Sequence, residues 1–244
     1  MKQCSLKPER WQPLIQLNFK VIAVLLFFIC LNVSSYGQFE IRFENSGNAE
    51  EHDQILKELD QSSQFLKRLF HYQPKEIFEI KVAENLSSYQ EQGFPLWLGG
   101  FYAQQSAFIQ PVKVLINKSV FKKTIFIEYA HFFIDSYSRE RCPDWLNEML
   151  SLYFYYQYVS LTVPFEPKNQ RLCQFKDFKN LQKNLKEHSL SEAFFKNSLL
   201  FAFFIEKKNG GFFWIELLSH MKKGTSLEKA FLKKTKQSIQ KVYE

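Results

Sequence analysis

The amino-acid sequence predicts an α+β fold: a small N-terminal mixed sheet with helices, then a pair of strongly apolar helices, then a helical C-terminal part. Three observations carry that expectation. Apolar–polar alternation, the strand period, is confined to the first half of the chain. Helical spacing dominates from about residue 120 onward. With 8 Gly and 8 Pro in 244 residues, the chain is too poor in turn formers for a loop-dominated fold. Strands gathered ahead of helices is the order of an α+β chain. A composition 45% hydrophobic and 23% charged also excludes wholesale disorder and collagen-like repeats.

The elements follow in order. Phe39-Glu40-Ile41-Arg42-Phe43 alternates and reads as a strand. Asn45 to Asn48 is rich in turn formers. From Ala49 to Phe70, Ile55, Leu56, Leu59, Phe65, Leu66, Leu69 and Phe70 recur at helical spacing, with acids near the start and Lys67 and Arg68 near the end, as the helix dipole favours. Pro74 closes that helix. Ile77 to Val82 alternates again. Ser87 to Gln104, with Gly93, Pro95, Gly99 and Gly100, reads as a loop with aromatic anchors. Ser106 to Gln110 and Val112 to Ile116 read as short strands, paired or consecutive. Thr124 to Ser136 and Pro143 to Val159 read as apolar helices, and 164–180 as irregular and polar. Leu190 to Tyr243 reads as two or three amphipathic helices, broken near Asn209-Gly210-Gly211 and at Gly224.

Ahead of this domain, Lys2, Lys7, Arg10 and Lys20 precede an apolar run from Val21 to Leu31, and small residues follow at Ser35 and Gly37. That pattern is a secretory signal over residues 1–37, cut before Gln38, with an uncleaved membrane anchor as the alternative. The domain expected is then 38–244, with strands and the apolar helix pair over 38–160 and a helical part over 190–244. Its place is periplasmic, extracellular or in the cell envelope. Of the 4 Cys, only Cys142 and Cys173 remain after cleavage. They either pair, closing a loop of about 30 residues worth roughly 3 kcal/mol, or stand as separate thiols. The net charge of +7 is unevenly spread: residues 1–167 hold 16 Lys+Arg against 18 Asp+Glu, and residues 168–244 hold 16 against 7. A basic tail suits an anionic surface, or simply solvated helix faces; an exported chain leaves no role for nucleic acid.

The chemistry is concentrated in Thr124-Ile125-Phe126-Ile127-Glu128-Tyr129-Ala130-His131-Phe132-Phe133-Ile134. A Glu and a His lie inside an otherwise apolar helix, where each needs a partner. Positions 127 and 131 share one helix face and 128 lies beside them. This is the frame of the HExxH zinc helix, in which two His hold the metal and the Glu acts on bound water. Here the first His is Ile127.

Downstream, Pro143-Asp144-Trp145-Leu146-Asn147-Glu148-Met149-Leu150-Ser151-Leu152-Tyr153 resembles the PxWLxEGLAxY segment of the gluzincin-type zinc peptidases called the peptidase MA-like domain family. The preceding order of elements, with Gly99-Gly100-Phe101 before the helix, and the helical tail at 198–230 are similar to that family too. The resemblance is specific at 124–153 and diffuse over the rest of 38–244. It implies a gluzincin-like fold, with Glu128 as general base and His131 and Glu148 as metal ligands. It also implies that Val112 to Ile116 is the edge strand along which an extended peptide binds, with an ordinary core strand as the alternative. Ile127 cannot bind metal, and Met149 stands where the family has Gly. A catalytic zinc takes three protein ligands. The expectation is therefore an exported pseudopeptidase with an incomplete zinc site and a binding role. The alternative is an active zinc hydrolase with a substituted ligand. Without zinc, a protonated His131 between Glu128 and Glu148 would form a buried ion cluster holding two helices in register.

Overall fold

Four strands and eight helices make up the described part of the chain, residues 38–45, 48–161, 188–239 and 241 of a computed structural model. The expected leader over 1–37, the irregular stretch 164–180 and Cys173 lie outside the described residues. The described residues from Phe39 onward form one compact unit. The α+β expectation holds at the level of a mixed four-stranded sheet followed by helices.

Strand β1 (Phe39–Phe43) leads into α1 (Ala49–Phe70), which crosses back to β2 (Phe78–Val82). β1 and β2 are parallel, with Phe39 opposite Phe78. The Asn48 side chain caps α1 by accepting the Glu50 N–H at 3.0 Å, and His71 ends it in the left-handed region. Ile55, Leu59, Ser62, Leu66 and Phe70 form its buried stripe. α2 (Leu86–Glu91) follows, capped by a reciprocal Asn85–Ser88 box.

β3 (Gly100–Ala103) and β4 (Ser106–Ile109) form an antiparallel hairpin closed by Gln104 and Gln105. Both turn residues have positive φ, 49° and 67°, as a two-residue hairpin turn requires. β4 pairs parallel with β2, so the order is β1-β2-β4-β3 and β3 is an edge. The region read as a loop over Ser87 to Gln104 thus holds a helix and a strand. Val112 to Ile116 is not a strand. It is α3 (Val112–Asn117), initiated by the Pro111 carbonyl, which accepts from Val114 and Leu115. Its β-branched residues suggest a strand, but Val112 and Leu115, one helical turn apart, are the two buried ones. The edge strand expected at 112–116 is therefore absent there; the edges of the sheet are β1 and β3.

α4 (Phe121–Ser138) and α5 (Asp144–Tyr158) are the apolar pair. α4 is buried on almost every side and packs on α1, α3, α5, β3, β4 and α7 (Phe213–Lys222). α6 (His188–Asn209) covers α5, and α8 (Leu227–Thr235) packs on α7. Breaks fall at Gly210-Gly211 and Gly224, as expected. No described helix is long and apolar enough to cross a membrane.

Candidate functional site: a polar clasp between two apolar helices

Gly99 and Gly100 bring the edge strand down onto α4. A Cβ at Gly100 would lie 2.8 Å from Glu128 Oε1, and one at Gly99 would lie 2.2 Å from Thr124 Oγ1. These are close-approach glycines rather than turn glycines. The Glu128 carboxyl therefore lies against the backbone of β3. Its Oε2 is buried with no hydrogen-bond partner. Burial pushes this carboxyl up to about 8; the nearby His131 charge opposes the shift and Glu148 adds to it.

One turn further on, His131 meets Glu148 of α5, with Nε2 3.5 Å from Oε2. The His131 side chain is 7% exposed and that of Glu148 28%, so the pair opens to solvent at the carboxylate. Burial pulls the imidazole down, but the Glu148 charge and hydrogen bond, with Glu128 and Asn147, lift it to about 9. The ion cluster thus takes the form of a His131–Glu148 pair, with Glu128 near it but in no ion pair among the described residues.

The other ring nitrogen is held from α5. His131 Nδ1 is 3.1 Å from Asn147 Oδ1 and 3.2 Å from Ser151 Oγ. Asn147 Nδ2 donates to the His131 carbonyl at 3.2 Å and to Asp135 Oδ1 at 2.8 Å. From β3, the Tyr102 ring stacks on His131 at 5.7 Å and 10°. Its hydroxyl is turned toward Asp135, whose charge, after burial, raises the phenol. Burial pushes the Asp135 carboxyl up, while the Tyr102 and Asn147 bonds and the His131 charge pull it down. Beyond Tyr102 a cleft of about 270 Å³ continues along α4, lined in part by Phe132, Asp135, Arg139 and Glu140.

The structure brings His131 and Glu148 together and sets Glu128 beside them. Ile127 is half-buried against the core. Asp135, Asn147, Ser151 and Tyr102 were not anticipated. Asp135 lies at i+4 from His131, and Ser151 at i+4 from Asn147. That spacing was a usable signal on α4 and α5; nothing in the sequence pointed to Tyr102.

Two donors, His131 Nε2 and Glu148 Oε2, converge. No group of three His, Cys, Asp or Glu suited to a metal occurs among the described residues. The set falls one short of a catalytic zinc site. No protein-family model, curated protein or solved structure matches this chain.

Proposed function

We propose that this chain is an exported, gluzincin-like pseudopeptidase that binds an extended peptide along β3 without hydrolysing it. The observation that carries this is Ile127, an alkyl side chain at the helical position from which a second His would complete the His131–Glu148 pair. The edge of β3 supports the binding role. Gln110 N–H donates to the Gly99 carbonyl at 2.9 Å, so bonded pairs alternate at 99, 101 and 103. The main-chain groups of Gly100 and Tyr102 therefore face outward, and both residues lie over the polar clasp. A peptide paired there gains main-chain hydrogen bonds, with side chains reaching the cleft beyond Tyr102.

Zinc content tests the first half. Purified protein is expected to carry no stoichiometric zinc, and Ile127→His to take up about one per chain. Stoichiometric zinc with chelator-sensitive peptide cleavage by the unaltered protein would overturn the proposal. For the second half, peptide-library binding should survive Tyr102→Ala, which keeps the outward N–H, and be lost in Tyr102→Pro. Equal binding by both variants would remove β3 as the site.

The runner-up is an active zinc hydrolase with a substituted ligand and Glu128 as base. It is favoured by the 3.5 Å separation of His131 Nε2 and Glu148 Oε2. Two ligands of one tetrahedral zinc stand roughly that far apart. The buried, partnerless Glu128 Oε2 also suits a group that acts on a bound water.

A further inference from the structure

Part of the excess of Lys in the last third of the chain gathers in one place. Three helix ends meet at one tip of the helical part: the C-terminus of α6, the N-terminus of α7 and the C-terminus of α8. Lys208 Nζ reaches Gln237 Oε1 at 3.4 Å, linking the α6 end to the α8 end. Lys234 pairs with Glu216, linking α8 to α7. At this tip Lys207, Lys208, Lys233 and Lys236 are exposed and make no ion pair among the described residues. Of the acids on these helices, Glu216 is paired with Lys234 and Glu206 hydrogen-bonds Gln157, while Glu228, one turn before Leu232, is exposed.

An apolar residue projects from the same place. Phe212, just before α7, is 65% exposed, while Phe213 and Trp214 beside it are buried. Leu232, one turn before Lys236 on α8, is 49% exposed. The inner face of α8, Leu227, Ala230 and Phe231, is already spent on the core. Among the described residues Phe212 stays exposed, in the short break between α6, which ends in Lys207-Lys208-Asn209, and α7.

We propose that this tip docks on an anionic lipid bilayer, with Phe212 and Leu232 entering the headgroup region and Lys207, Lys208, Lys233 and Lys236 meeting acidic lipid. The chemistry matches on both counts. Aromatic and aliphatic side chains gain by entering the interface, and Lys near an anionic surface adds attraction that salt screens. A bilayer also asks for no shaped pocket.

The test uses the full-length chain with vesicles of phosphatidylcholine alone or mixed with phosphatidylglycerol. Lysine acylation is read residue by residue. Because the readout is local, membrane attachment through the apolar run Val21 to Leu31 does not confuse it. Phosphatidylglycerol vesicles are expected to protect Lys207, Lys208, Lys233 and Lys236 while Lys67 on α1 stays reactive; raised salt should remove the protection. Lys208→Glu with Lys233→Glu should weaken the phosphatidylglycerol-dependent binding at least about tenfold. Phe212→Ser should weaken it as well, and Lys67→Glu with Arg68→Glu should not. Equal protection by phosphatidylcholine, no protection, or protection of Lys67 instead would overturn the proposal. So would full protection by soluble heparin with none by vesicles, which would make the partner an acidic polymer. The labelling on unaltered protein decides the matter even if a variant fails to fold.

Discussion

Gly99 and Gly100 show how a single missing Cβ positions the site. Both precede or begin β3, and both face α4 rather than a turn. The sequence marks them as loop formers because glycine carries no label for its cause. Only the distance to Thr124 and Glu128 separates a tight turn from a close approach. Gly99→Ala should cost about 1–3 kcal/mol, since the new methyl would collide with a short, buried side chain that cannot swing away. Removing the obstacle should repair it. Gly99→Ala with Thr124→Ala is expected to regain most of the loss in denaturant titration, the Leu115 contact at 3.2 Å being left to adjust. If the double variant is no better than the single one, the strand does not rest on Thr124. The charged residues were more legible than the glycines. Glu128 and His131 stand out because charge inside an apolar helix demands a partner, and Glu148 lies on the next helix at matching depth. What the sequence concealed was pairing. The ion pair is His131–Glu148, and among the described residues Glu128 has none.

At the scale of elements, α4 and α5 are joined by Asn147 more than by Glu148. Asn147 is buried and touches three groups of α4: the His131 ring, the His131 carbonyl and the Asp135 carboxylate. Asn147→Ala would remove all three contacts, leaving only Ser151 on the His131 ring nitrogen, and should cost about 2–4 kcal/mol. Asn48→Ala, at the exposed cap of α1, should cost only about 1 kcal/mol. Equal losses in thermal melts of the two variants would show that the clasp is wet or loose. The long elements were readable because burial repeats every turn over many residues, as in α1, whose predicted and observed spans coincide. The short ones were not. Over six residues, Val112 to Asn117 satisfies a strand pattern and a helix pattern equally well, and contact with the core decides. The β3–β4 hairpin escaped because its turn is Gln104-Gln105, which carries none of the Asn-Gly or Asp-Gly signal.

For the whole molecule, the buried cluster ties stability to pH. The folded chain holds a proton on His131 more tightly than the unfolded chain does, with the group lifted from 6.5 to about 9. Its stabilisation is complete below pH 6.5 and is lost as pH rises through about 9. Glu128 is lifted from 4.5 to about 8. Folding then retains a proton that the unfolded chain releases, so stability again falls as pH climbs from about 4.5 to 8. Both slopes have the same sign, and they overlap between about pH 6.5 and 8. The melting temperature should therefore drop from pH 6.5 to 9. Glu128→Gln should flatten the drop and gain on the unaltered protein at pH 8 and above. A protein more stable at pH 9 than at 6.5 would contradict the buried pair. The same proton bears on metal. A ligating His must be neutral, so in Ile127→His zinc has to displace the proton that Glu148 helps to hold. Zinc affinity of that variant should rise with pH over the range in which the metal-free fold weakens. Opposite slopes of zinc affinity and metal-free stability would show that one imidazole governs both. A zinc affinity flat between pH 6.5 and 9 would place the metal away from His131.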